Sequence, residues 1–263
     1  MGEPAPFTLK KWYFDCTSDA GDAVILYCTR LKWRALRANY ASLLVSRGGS
    51  ISTSNSLRCS SFPKTSQEET EITIRSLGIN AHWQGPDEGI TRTIYESDAG
   101  SIEWHCLHTR STAEFVFADG THLCGLGYGE CLTLTIPPWK LPLKQLQWGR
   151  FVSSQHSIIW IDWKGSFENR IVLHNGCDVE TQEINSRELR FGSGDSLNFE
   201  SSQTLRDGKI GDTVLSSFPI LRNILPNALF EINETKWCSK GRLTLGAKEI
   251  SGWVIHELVR WSE

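Results

Sequence analysis

The sequence predicts an all-β protein built as two consecutive antiparallel barrels or curved sheets joined by a proline-rich connector. Hydrophobic and polar residues alternate with period two in short runs along most of the chain, which sends successive side chains to opposite faces. Between these runs lie SDAGD, ESDAG, ADG, KGS and HNG, rich in residues that tolerate tight bends. Near the middle, 137–147 reads PPWKLPLKQLQ, where proline fixes φ and withholds a ladder donor. The chain on each side suffices for a curved sheet of roughly 110 to 140 residues.

The strands follow in order. The first half predicts them at 11–16 (KWYFDC), 22–32, 69–77, 90–96, 101–108 (SIEWHCLH), 113–118 and 123–136. The second half predicts 148–153 (WGRFVS), 157–164 (SIIWIDWK), 169–174, 179–184, 187–192, 196–201, 229–237, 241–246 and 251–261 (SGWVIHELVRW). Segment 33–48 (WRALRANYASLLVSRG) predicts a short helix, and the prolines of 213–228 predict irregular structure. The halves begin alike, each with an aromatic-rich strand, a polar turn and a second apolar strand, an echo in keeping with duplication. The expected boundaries are an N-terminal domain at 1–136, a connector at 137–147 and a C-terminal domain at 148–263.

Composition narrows the function. A net charge of -3, with no basic run longer than Lys10-Lys11, supplies no footprint for a phosphate backbone, so nucleic acid is not expected as a partner. No apolar stretch reaches membrane-span length and the N-terminus lacks an apolar signal core, so a cytoplasmic location is expected. The 8 cysteines include no C-x-x-C pair and are expected to be reduced thiols. Against a single Met stand 11 Trp, which favours rigid aromatic walls over adaptable ones.

Counting by twos puts acids among oily neighbours. In GLGYGECLTLTIPP, Glu130 shares a face with Leu126, Tyr128, Leu132, Leu134 and Ile136. In GWVIHELVRW, Glu257 falls with Trp253, Ile255, Val259 and Trp261, and in SIIWIDWK, Asp162 falls with Ile158 and Trp160. Burying a charged carboxylate is costly, so each must be paired, neutral or less buried than its face implies. One reading is a structural bridge to Arg150 or Arg242. The other is an acid desolvated among aromatic rings, its pKa raised until it donates protons at neutral pH.

On SIEWHCLH, Glu103, His105 and Leu107 share one face, and Ile102, Trp104, Cys106 and His108 the other. His105 is either a proton shuttle or a solvated surface histidine. No histidine pair has ligand spacing, so no metal is expected. Phosphate-binding and dinucleotide loops and the nucleophile-elbow motif are absent, so no cofactor is expected. Gly125, Gly127 and Gly129 continue as a strand and are read as leaving room on the opposite face, or allowing sharp bending, where another backbone or a ligand approaches.

The stretch GYGECLTLTIPPWKLPLKQLQWGRF, then IIWIDWKG and HNG, with KWYFD and WVIHELVRW at the ends, resembles the lipocalin-like superfamily of carotenoid 1,2-hydratase and related cyclase-like proteins. The resemblance implies two consecutive lipocalin-like β-domains, a hydrophobic substrate and cofactor-free chemistry on alkenes, including cyclisation of the Diels-Alder kind. The expected activity is hydration, isomerisation or cyclisation of an unsaturated metabolite. Glu130 or Glu257 would act as the acid, with Asp162, Tyr128 or His105 positioning water or an internal nucleophile. Trp104, Trp160 and Trp253 would line the pocket, with Arg150 beside the substrate. The alternative is a carrier of a small lipophile whose acids serve only as bridges.

Overall fold

The computed structural model describes residues 7–66, 68–85, 89–216 and 225–261. The chain divides into two compact units, Met1–Leu141 and Pro142–Glu263. Each is an antiparallel sheet that curls around its own core.

Unit 1 contains β1 (Thr8–Thr17), β2 (Ala23–Trp33), β3 (Leu36–Arg47), β4 (Ser50–Ser56), β5 (Lys64–Thr65), β6 (Glu69–Ile74), β7 (Ile79–Gln84), β8 (Ile90–Ser97), β9 (Gly100–Phe117) and β10 (His122–Leu134). They pair in the order β4-β3-β2-β1-β10-β9-β7-β6-β5, with β8 also on β9. Leu43 from one end of this path and Ile72 and Ile74 from the other join Phe14, Leu26, Trp83 and Phe115 in a single buried cluster. Side chains from both ends meet only because the sheet rolls up.

Unit 2 contains β11 (Leu143–Val152), β12 (Ser157–Gly165), β13 (Asn169–His174), β14 (Cys177–Asp178), β15 (Thr181–Ile184), β16 (Glu188–Phe191), β17 (Asp195–Lys209), a one-turn helix α1 (Asn227–Phe230), β18 (Asn233–Leu245) and β19 (Lys248–Arg260). Their order is β14-β13-β12-β11-β19-β18-β17-β16-β15. Phe151, Trp160, Val172, Leu189, Phe191 and Val254 form its core.

The two strand paths are the same path: in each unit the first strand lies between the second and the last, and the later strands extend outward in reverse order. The echo between the halves is therefore a repeat of topology. Registers match as well. Tyr13 lies opposite Glu130 and Asp15 opposite Tyr128 in unit 1, while Trp148 lies opposite Glu257 and Arg150 opposite Ile255 in unit 2. Glu130 and Glu257 thus hold equivalent places in equivalent strands.

Segment 33–48 is not a helix. It is the last residue of β2 and all of β3, joined by a tight reversal at Arg34, whose φ of 54° is left-handed. Ala41 and Leu43 enter the core cluster, and burying them against β2 outweighs the local helical leaning of Ala, Leu and Arg. The strands expected at 101–108 and 113–118 are one, β9, and those at 229–237 and 241–246 merge into β18. The strand β4 was not expected, and β7 occupies chain beyond the 69–77 prediction. In the proline stretch, Pro138–Lys140 form a 3-10 turn, but β11 begins at Leu143, inside the expected connector. Of the stretch expected to be irregular, 217–224 lie outside the described residues. Among the described residues no helix is long and apolar enough to cross a membrane.

Candidate functional site

Both faces of the unit 1 sheet are buried near β1 and β10. One faces the core cluster, and the other carries Tyr13, Asp15, Tyr27, Trp104, Cys106, Tyr128 and Glu130, all under 7% exposed. Parity explains this: in β10 even-numbered Tyr128 and Glu130 oppose odd-numbered Asp15 and Tyr13 across the ladder.

Glu130 is the centre of this layer. The indole Nε1 of Trp104 and the hydroxyl of Tyr128 both donate to its Oε2, each at 2.6 Å. Beside it the Tyr13 hydroxyl donates to Asp15 Oδ2 at 2.8 Å. Tyr13 packs edge-on to Tyr27 at 5.2 Å and against Tyr128 at 6.0 Å. Burial, with Cys106 and Glu130 close by, pushes the Tyr128 phenol well above its usual range, so it stays protonated and remains a donor.

The glycines of GLGYGE make the layer possible from the other side. A Cβ on Gly129 would meet the Phe14 ring at 2.6 Å, and one on Gly127 would meet Asp15 O at 2.6 Å and Trp83 Cδ1 at 2.8 Å. Phe14 and Trp83 therefore press directly against the β10 backbone, so the room that the glycines leave is taken by core side chains. The ladder between β9 and β10 shifts register at Gly127 to Glu130, re-aiming Glu130 beside Cys106. Trp83 Nε1 also donates to Asp15 O at 2.8 Å, tying core packing to the acid layer.

Glu257 has a different setting from its counterpart. Where unit 1 places Cys106 opposite Glu130, unit 2 places Lys236 opposite Glu257, and the ammonium of this fully buried lysine contacts that carboxylate directly. Lys236 also lies 3.4 Å from Glu234, which pairs with Arg206 at 3.4 Å, and its ammonium stands 5.6 Å from the Trp148 ring. Glu257 is thus a member of a buried ion network, and its bridge runs to lysine, not to arginine. Arg242, expected as a counter-ion for these acids, pairs instead with Glu200 at 2.8 Å on the surface.

The remaining candidates in unit 2 divide similarly. Asp162 is 2% exposed and carries Arg170 Nε at 2.9 Å and Lys164 at 3.2 Å, a structural bridge at the sheet surface. Trp160 belongs to the core and stacks on Phe199 at 5.4 Å with an 11° tilt. Gly149 permits this, since a Cβ there would sit 2.1 Å from the Trp160 ring. Arg150 is fully buried and donates to the carbonyl of Trp253, itself half-buried, at 2.8 Å.

His105 does not join Glu130. It lies opposite Cys131, so it faces the other side of the sheet from Glu130 and Trp104. There it lines a cavity of 740 Å³ with Lys10, Trp12, Glu103, Leu107 and Cys131. One wall of β10 thus carries the buried acid and the opposite wall borders the cavity.

Other polar groups escaped the sequence reading. Asp15 shares parity with Tyr13 in KWYFDC, and Lys236 with Glu234 in NETKWC, so counting by twos could have found both. In unit 2, His256 Nε2 lies 3.1 Å from Ser239 Oγ, which lies 2.7 Å from Ser202 Oγ. Phe199 and Trp237 flank the imidazole at 4.6 and 4.9 Å. Burial, aided by the positive charge of Lys236, holds its pKa down to about 3, so it is neutral. Glu69, Glu71 and His82 bring three ligand atoms within 4.8 Å on the surface of β6 and β7, where Glu69 Oε2 and His82 Nε2 lie 3.5 Å apart.

The fold and these buried layers define a lipocalin-like β protein of two units. No protein-family model and no curated protein matches the sequence. Among solved structures, the chain is similar to CghA crystallised with Sch210972 (TM-score 0.59, 10% identity, covering 100% of this chain and 94% of that one). It is also similar to kievitone hydratase from Nectria haematococca (TM-score 0.57, 10% identity, 97% and 89% covered) and to an AttH-type protein from Nitrosomonas europaea (TM-score 0.57, 7% identity, 98% and 93% covered). The chain has the lipocalin-like fold shared by these proteins, the fold to which its own motifs pointed.

Proposed function

We propose that the protein is a cofactor-independent enzyme that hydrates, isomerises or cyclises a small apolar unsaturated metabolite, with Glu130 as its proton-transfer group. The observation that carries this reading is the setting of Glu130: a nearly buried carboxyl with two donors at 2.6 Å on one oxygen, inside a layer of aromatic rings. In the neutral acid Oε2 is the carbonyl oxygen and accepts from both Trp104 and Tyr128, while the proton sits on Oε1. Transfer of that proton to an alkene carbon leaves a cation that indole and phenol faces stabilise. Water or an internal nucleophile then adds, and the proton it releases returns to the carboxylate. Of the fold relatives, one is named a hydratase and another was crystallised with Sch210972, which supports this class of chemistry.

Metabolite profiling of a deletion strain identifies the accumulated precursor, and purified protein is then tested on it. Glu130→Gln keeps the acceptor oxygen but removes the acid, so turnover falls by about 100-fold or more with substrate affinity retained. Unchanged turnover in a folded Glu130→Gln variant refutes the assignment.

The second reading, a carrier of a small lipophile, is favoured by the 740 Å³ cavity of unit 1, which has the size of a ligand site. A carrier would bind the accumulated compound and release it unchanged.

A further inference from the structure

No two histidines stand at ligand spacing along the sequence, but the unit 2 sheet brings two of them into contact. His156 closes the turn between β11 and β12, and His174 is the last residue of β13. Both are half-buried. Their rings stack at 5.3 Å with a 29° tilt, and His156 Nδ1 lies 3.0 Å from His174 Nε2.

The backbone on both sides holds this pair in place. Ser153 Oγ accepts from His156 N at 3.0 Å and Ser153 N donates to His156 O at 2.8 Å, which fixes the first turn. The next residue, Ser157, exchanges two bonds with Asn175, the residue after His174: Ser157 N donates to Asn175 Oδ1 and Asn175 N to Ser157 O, each at 2.8 Å. Asn175 and Gly176, with φ of 49° and 81°, turn the chain tightly into β14, where the exposed Cys177 lies opposite His174. Phe191 of the unit 2 core packs edge-on to the His174 ring at 6.0 Å. Imidazoles anchored in this way need little further ordering to hold an ion.

We propose that His156 Nδ1 and His174 Nε2 chelate a divalent zinc ion between the β11–β12 and β13–β14 turns, with solvent completing its coordination. Imidazole nitrogens are donors that suit this borderline cation. Tetrahedral nitrogens about 2.05 Å from zinc stand about 3.3 Å apart, so the pair has to part by only about 0.3 Å. Before binding, one of the two facing nitrogens carries the proton of their hydrogen bond. On binding, that proton moves to the far nitrogen of the same ring, so both lone pairs face the ion and no net proton is released. Burial and the neighbouring His156, opposed by the charge of Asp195, hold His174 below its ordinary value, so the ring is neutral and able to ligate near neutral pH. The Glu69, Glu71 and His82 group of unit 1 offers a single imidazole, and both of its carboxylates are exposed.

The test is calorimetric titration of zinc chloride into the chelator-stripped, phosphine-reduced full-length chain near neutral pH, with long-range proton–nitrogen NMR spectra of the histidine rings. Saturable binding at micromolar zinc is expected, with the ring nitrogens of His156 and His174 shifting together. His156→Gln and His174→Gln should each weaken binding at least about tenfold, whereas His82→Gln and Cys124→Ser in unit 1 should leave it unchanged. If either unit 2 substitution unfolds the chain, the ring spectra of the wild type decide alone. Absence of binding overturns the proposal, as does binding that His82→Gln removes or that shifts neither His156 nor His174.

Discussion

His256 gives the most direct readout of how unit 2 is held together. Its imidazole is buried between Phe199 and Trp237 with Ser239 at Nε2, and its folded pKa is about 3 against an ordinary 6.5. Because the folded value is the lower one, the unfolded chain binds the proton first. The penalty is absent above about pH 6.5 and grows as pH falls toward 3, where it levels off. A difference of about 3.5 pKa units corresponds to about 5 kcal/mol in full, and to about 2 kcal/mol between pH 6.5 and pH 5. His256→Gln keeps a donor and acceptor near Ser239 but cannot titrate. Urea unfolding of both proteins at about pH 7 and pH 5 isolates the contribution, since other titrating groups are common to the pair. The wild type should lose about 2 kcal/mol more than His256→Gln between the two conditions. Equal losses would mean that the imidazole charges freely in the folded protein, and the buried neutral histidine would be abandoned.

Three further outcomes follow from the same packing. Lys236→Met leaves Glu257 and Glu234 without their buried ammonium and should cost about 3 to 5 kcal/mol by chemical denaturation, partly recovered in Lys236→Met/Glu257→Met. Gly149→Ala drives a methyl to 2.1 Å from the Trp160 ring, which is fully packed and stacked on Phe199, so a loss of about 3 kcal/mol is expected and Trp160→Leu should relieve it. Trp104→Phe retains the ring but removes the 2.6 Å donor to Glu130, and should cost about 1 to 3 kcal/mol while shifting the pH profile of any Glu130-dependent turnover.

The equivalence of Glu130 and Glu257 shows what the repeated topology holds in common. Strand path, register and the acid itself recur, but the residue across the ladder does not: Cys106 in one unit, Lys236 in the other. A lysine at that place converts a desolvated carboxyl into half of an ion pair. The carboxyl of Glu130, by contrast, has an indole and a phenol as its donors.

Much of this was legible in the residues. Period-two alternation gave most of the strands, because a pleated sheet with one face on a core must alternate. The same parity buried Glu130, Tyr128 and Trp104 on one face and put His105 on the other, and the glycines of GLGYGE announced a close approach, which Phe14 and Trp83 make. What only the tertiary structure decided is which strands are neighbours. That Trp104 reaches the Tyr128–Glu130 pair and that Glu257 meets Lys236 both depend on ladder register between segments about twenty residues or more apart. Local sequence fixes the face a side chain takes; its partners are set by the curl and pairing of the whole sheet, and the same long-range pairing made a strand of residues 36–47 despite their helical leaning.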